Sequence, residues 1–196
     1  MMKLPRSILT AALCAAATAF PGAASATNRI ELVFSGVPEA NTAAWPNTPA
    51  FTSWCAGTCH PTTQIPLYDA ATGQKKGSAY VWGSPFAFGA NGSLCFSEFI
   101  VFALDEGDIY VHSPNNGTCG APMDPSLKQP GPGASVVLAG GGDGAVYGGT
   151  RKYRNWTGSY TDRVFVGFGN GGVGGIIYYD QLWFSISATD AAGGGN

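Results

Sequence analysis

The chain has 196 residues, with ten Lys and Arg against 12 Asp and Glu; 45% of its residues are hydrophobic and only 11% charged. That slightly acidic balance excludes a protein that tracks nucleic-acid phosphates, which needs a basic surface. Aromatics at 12% exclude a disordered chain despite the low charge, and 29 glycines and 13 prolines between short apolar runs describe an all-β sandwich or barrel.

Residues 1–26 read as a removable signal peptide. Lys3 and Arg6 give a positive start, Ile8 to Phe20 is a short apolar run, and Ala24-Ser25-Ala26 is a small-residue cleavage site. Cleavage is expected after Ala26, which places the mature protein in the periplasm or outside the cell. No apolar run is long enough for a transmembrane helix, so no transmembrane segment is expected. Residues 27–190 suit a single domain with one core, and 191–196 are expected to be a disordered tail. Without Lys3 and Arg6, eight basic residues face 12 acidic ones, a net charge near −4. Cys14 leaves with the signal peptide, and Cys55, Cys59, Cys95 and Cys119 remain, an even number suited to disulfides in an oxidising compartment. Four cysteines allow three pairings. The preferred one closes a small Cys55–Cys59 loop and leaves Cys95 with Cys119.

Along the chain, Arg29 to Phe34 alternates and predicts the first strand. Val37 to Pro66, rich in Pro, Thr, Asn and Ala, is expected to be a long loop over the mouth of the fold, tied by cysteines. Ile65 to Asp69 and Gly73 to Gly77 predict a strand, a turn and a returning strand. Ser78 to Phe88, Leu94 to Leu104 and Asp108 to Ser113 follow as strands, with tight turns at Asn91-Gly92 and Glu106-Gly107. Asn115 to Pro132 is expected to be a second loop. Ala134 to Ala139, Gly158 to Phe168 and Gly175 to Ser187 complete the strands, joined by glycine-rich connections at 140–144 and 169–175. No helical period of useful length and no internal repeat is present.

The run Val146-Tyr147-Gly148-Gly149-Thr150-Arg151-Lys152-Tyr153-Arg154-Asn155-Trp156-Thr157-Gly158 resembles the Gly-Gly-Thr-Gly-Lys-Phe-Arg loop of plant dirigent proteins and the related turn of allene oxide cyclases. Arg151 stands where the family has its third glycine, and Thr157 where it has its second arginine. Leu67-Tyr68-Asp69 followed by Gly73-Gln74-Lys75-Lys76-Gly77 is similar to a hairpin of the same superfamily. The resemblance spans about Leu67 to Ser187, and outside 146–158 it is one of pattern more than identity. It implies a closed antiparallel β-barrel of about eight strands, here with long disulfide-tied loops. A barrel of that size holds packed side chains or one small ligand. It further implies a small apolar substrate, chemistry without a cofactor, and a homo-oligomer, commonly a dimer or trimer.

Glu31 is a carboxylate inside an apolar strand, at the place where dirigent proteins carry an Asp; their preceding His is absent. Pointing into a pocket, it would be desolvated and suited to acid-base work; pointing outward, it would be a solvated surface group. Arg154 matches the first arginine of the dirigent loop. A buried guanidinium there would hold a carboxylate or phenolate oxygen, whereas a surface arginine would pair with Asp162 or Asp143. Tyr110, Tyr153, Trp156, Tyr178 and Trp183 lie on or near predicted strands, where they line a cavity or fill the barrel. Cys55, Cys59 and His60 lack a second matched ligand pair, so no metal site is expected. His112, at a strand end, reads as structural. No nucleophile motif and no phosphate-binding loop is found. Two functions follow. The first is a barrel that binds a small apolar molecule and steers a cofactor-free cyclisation, isomerisation or coupling, with Glu31 and Arg154 catalytic. The alternative is a non-catalytic module that binds a ligand, a glycan or a partner through its loops.

Overall fold

The computed structural model describes residues 27–55, 58–123, 136–169 and 177–191, with Tyr178 and Tyr179 described by their backbone only. The expected signal peptide, the tail beyond 191, the middle of the second expected loop and the connection at 170–176 lie outside the described residues.

Ten strands occur among the described residues: β1 (Asn28–Gly36), β2 (Glu39–Ala40), β3 (His60–Asp69), β4 (Lys75–Phe88), β5 (Leu94–Leu104), β6 (Gly107–Pro122), β7 (Val136–Gly141), β8 (Asp143–Gly149), β9 (Trp156–Phe168) and β10 (Ile177–Asp190). Eight of them form a closed ring in the order β1, β10, β9, β8, β6, β5, β4, β3. It is shut by the short β1–β3 pairing of Leu32 with Asp69 and Val33 with Tyr68. Every pairing is antiparallel. The expected all-β barrel of about eight strands is the observed architecture. Closure leaves no exposed edge in the ring. β2 flanks β3, and β7 continues the line of β8 against β9.

Alternation sets what faces inward. Leu32 and Phe34 of β1, Ile65 and Leu67 of β3, Ile100 and Phe102 of β5, Ile109 and Val111 of β6, and Phe184 and Ile186 of β10 fill the barrel. Tyr153 and Trp156 pack edge-to-face, with ring centres 4.7 Å apart, and join this core. The run 146–158 therefore supplies the end of β8, a 3-10 turn at Arg151–Tyr153 and the start of β9, and it plugs one end of the barrel.

Three departures from the sequence reading have local causes. The stretch 37–66 does not span the mouth. It contains a short helix, α1 (Pro49–Cys55), begun by Thr48, whose Oγ1 accepts the Phe51 N–H at 3.1 Å. Phe51 packs on Trp82 and Phe99 and Trp54 stacks on Phe99, so the segment covers the outer face of β4–β6. The second expected loop is strand as far as Pro122. β6 bulges at Pro114–Gly117, where Asn115 and Asn116 take φ of 57°, and then resumes its pairing with β5 at Thr118. The connection at 140–144 is strand as well. β7 and β8 keep one register against β9 on either side of Gly142. A Cβ on Gly144 would lie 2.1 Å from the His112 carbonyl oxygen, so the glycine there permits close strand approach rather than flexibility.

The disulfides are Cys55–Cys59, which ties the end of α1 to the start of β3, and Cys95–Cys119, which bridges directly paired residues of β5 and β6. Both fit an oxidising compartment. No described helix is long and apolar enough to cross a membrane.

Candidate functional site

The barrel is packed at the Tyr153–Trp156 end and hollow at the other. There a cavity of about 560 Å³ opens between β4, β5, β6, β7, β9 and β10, within the size range of small-molecule pockets. Its walls are apolar, with Phe86, Phe88, Phe96, Leu138, Phe168 and Phe184 among them. Three carboxylates reach into it: Glu98, Asp162 and Asp180, each at most 5% exposed. No Lys, Arg or His lines it among the described residues.

Strand parity puts the acids there. Glu98 shares the inward face of β5 with Phe96, Ile100 and Phe102. Asp162 continues the inward series of Tyr160 and Trp156 on β9, and Asp180 precedes Leu182, Phe184 and Ile186 on β10. The β6 bulge carries Thr118 across to Glu98. Glu98 Oε1 accepts hydrogen bonds from Thr118 Oγ1 and Tyr160 Oη, both at 2.7 Å. Both donors converge on one oxygen and favour the charged form of the carboxyl. Burial, reinforced by the negative charge of Asp162, pushes the Glu98 carboxyl up to about 8 against the two hydrogen bonds.

Asp162 is held by the break between β7 and β8. Gly142 N–H donates to Asp162 Oδ1, and Asp162 N–H donates to Gly142 O at 2.9 Å. Burial raises its carboxyl to about 6, with the Gly142 hydrogen bond opposing. Asp180 rises to about 7 through burial and then through repulsion from Asp162. Its Oδ1 is buried and receives no hydrogen bond. At neutral pH the three groups thus sit at different points of titration, with Glu98 the most protonated and Asp162 the least. Neighbouring carboxyls whose surroundings push them apart are the arrangement in which one can act as acid and another as base. No group of three or more His, Cys, Asp or Glu among the described residues is placed to hold a metal ion.

The residues singled out from the sequence lie elsewhere. Glu31 has odd parity in β1 and is on the outer face, where it accepts hydrogen bonds from Trp183 Nε1, from Ser185 Oγ at 2.8 Å and from Arg29. Burial is the largest single influence and raises its carboxyl, but the three donors and the Arg29 charge together outweigh it and hold the carboxyl below its ordinary value. Trp183 is beside it, half exposed. Arg154 is exposed on the turn after the 3-10 helix, and Asp162, a partner considered for it, faces the barrel interior. Tyr110 is on the outer wall near Phe99, 6.4 Å between ring centres. Tyr153 and Trp156 are plug residues, the Tyr153 hydroxyl donating to Glu106 Oε2 at 3.3 Å. The side chain of Tyr178 lies outside the described set. Glu31, Tyr153 and Trp156 do border a second hollow of about 510 Å³ at the plugged end, together with Lys76, Asp105, Glu106 and Lys152. Its Lys152–Glu106 pair, 2.7 Å apart, is exposed on both sides and screened by water. The buried acids of the open end are the stronger chemical feature.

The signal that finds Glu98, Asp162 and Asp180 in sequence is an acid at the apolar parity of its strand: Phe96-x-Glu98-x-Ile100, Tyr160-x-Asp162-x-Val164 and Asp180-x-Leu182-x-Phe184. No protein-family model, curated protein or solved structure matches the chain.

Proposed function

We propose that this is an exported barrel protein that binds a small apolar molecule in the open-end cavity and steers its cyclisation or isomerisation by proton transfer, without a cofactor, or its coupling once a separate oxidase has formed the radicals. The observation that carries this reading is Glu98: a carboxyl only 4% exposed, held on Oε1 by Thr118 and Tyr160, lining an apolar hollow of ligand size where burial favours its neutral form. The likeness of residues 146–158 to dirigent and allene oxide cyclase loops supports it independently. The walls impose a folded shape on the substrate, which lowers the entropic barrier to ring closure. Glu98 Oε2–H gives its proton to the substrate. Positive charge develops opposite Asp162 and Asp180 and is stabilised there. A substrate C–H proton then passes to Asp180, the bond shift is complete, and solvent exchange resets the two carboxyls. The net reaction is an isomerisation, with one proton in and one out. A non-catalytic ligand carrier shares the cavity and differs only in giving Glu98 no chemical step.

The test is native mass spectrometry of the protein isolated from its own cells, followed by extraction of any bound molecule and turnover of its precursor isomer. A stoichiometric apolar compound is expected. Glu98→Gln should retain binding and lose turnover about 100-fold or more, the low end of what general acids supply. A bound molecule with turnover unchanged in Glu98→Gln would leave a carrier. A protein recovered empty, with a Leu138→Trp cavity-filling variant indistinguishable from the wild type in binding a neutral apolar dye, would contradict the reading.

A further inference from the structure

The cavity is electrostatically one-sided. Three acids enter it, and no basic side chain among the described residues answers them. Pairing is incomplete at one point. Glu98 receives Thr118 and Tyr160, Asp162 receives Gly142 N–H, and the Asp180 carboxyl receives Gln181 N–H, but its Oδ1 is enclosed without a donor on a side chain only 5% exposed. A buried acceptor without a partner is unfavourable, and the loss is recovered when a ligand brings the donor. A metal ion is not the partner these residues are arranged for, because no three described ligand-type side chains gather closely enough to hold one. The donor then comes from water or from an organic ligand, and a ligand that displaces the water must supply it. The apolar walls, with Phe86, Phe96, Phe168 and Phe184 among them, suit a hydrocarbon or aromatic body, and aromatic faces attract a cation.

We infer that the cavity takes an apolar molecule bearing a primary or secondary ammonium head, with the head seated on Asp180 Oδ1 beside Asp162 and the body against the phenylalanine wall. This rests on the reading of the open-end cavity as the ligand site and specifies the class of ligand. A carboxylate or phenolate head would be repelled by Asp162 and Asp180 and is disfavoured there. An alcohol would satisfy Asp180 with one hydrogen bond but bring no charge to an apolar enclosure where charge is poorly screened. An ammonium brings both.

The test uses the mature chain and three probes that differ only in the head: 4-phenylbutylamine, 4-phenylbutanol and 4-phenylbutyrate. Each is titrated calorimetrically at pH 7.5 and in competition with 1-aminoanthracene, which is neutral at that pH. The amine should bind at least tenfold more tightly than the alcohol, and the butyrate at least tenfold more weakly than the alcohol. Asp180→Asn, nearly isosteric, should bring the amine to within threefold of the alcohol and leave the alcohol's affinity within threefold of wild type. Leu138→Trp should abolish all three, which locates binding in the cavity. An amine no tighter than the alcohol, or an amine preference that survives Asp180→Asn, overturns the inference. If the dye binds and Leu138→Trp removes it while the amine does not displace it, the head-group inference fails and the cavity reading stands. If neither dye nor probe binds, the cavity reading fails with it.

Discussion

At the scale of single residues, the cavity is defined by carboxyls whose ionisation burial makes harder. Glu98, Asp162 and Asp180 all have folded-state values above their ordinary ones, at about 8, 6 and 7. The folded protein therefore holds more protons than the unfolded chain between pH 4 and 8. The stability these groups contribute is fully present below their unfolded values and is lost as pH rises through the folded ones. Stability measured by denaturant unfolding should fall from about pH 5 to pH 8, by up to about 1.4 kcal/mol per pH unit for each group in its window. Glu98→Gln should flatten the upper part of that slope, near pH 7 to 8. A profile flat across the range, or rising toward pH 8, would show the acids hydrated rather than enclosed. These residues were legible in the sequence by parity, since each stands where its strand otherwise places an apolar side chain. Parity also separates them from Glu31, whose neighbours Leu32 and Phe34 take the inward positions and leave it outside. A carboxylate set among apolar residues of both parities, as Glu31 is, draws attention without saying which face it occupies.

At the scale of elements, strands with clear alternation were readable, and the segments misread as loops were those whose structure depends on distant partners. Asn115 and Asn116 look like loop residues because they favour left-handed backbone. They use it to form a bulge, after which pairing with β5 and the Cys95–Cys119 bridge restore the strand. The glycines at 140–144 look flexible and in fact let β8 approach β6. Gly144→Ala would drive a Cβ to 2.1 Å from the His112 carbonyl oxygen. The seam has to open, and a loss of about 2 kcal/mol or more is expected in urea unfolding, in the range of overpacking changes. The two disulfides should differ in worth. Cys95–Cys119 closes a span of 24 residues and Cys55–Cys59 a span of 4. On loop entropy they are worth about 3.5 and about 2 kcal/mol. Alanine replacement of each pair, compared by denaturant midpoint, should rank them in that order. The reverse order would mean that α1 on the outer wall holds the barrel together more than the β5–β6 bridge does.

At the scale of the whole molecule, the barrel is built asymmetrically along its axis. One end is plugged by Tyr153 and Trp156 from the 146–158 run, the middle is packed by large apolar side chains, and the other end is left hollow over the three acids. The plugged end is the part the sequence pointed to most strongly, and it positions the site rather than forming it. Its glycines and aromatics close the barrel, and closure keeps water away from Glu98 from below. Trp156→Ala should therefore cost about 3–5 kcal/mol, as large-to-small core changes do, and should lower the apparent pKa of Glu98 by letting water in. A Trp156→Phe variant should restore most of both.

The account depends on Glu98 being a neutral acid inside the barrel at physiological pH. The most direct measurement is a carbon-13 NMR titration of the glutamate side-chain carboxyls, with the Glu98 signal assigned by its absence in Glu98→Gln. One glutamate is expected to titrate near pH 8, well separated from the exposed ones. A Glu98 signal that titrates at the ordinary value of about 4.5 would mean a hydrated carboxylate, and the proton-donor site would be lost with it.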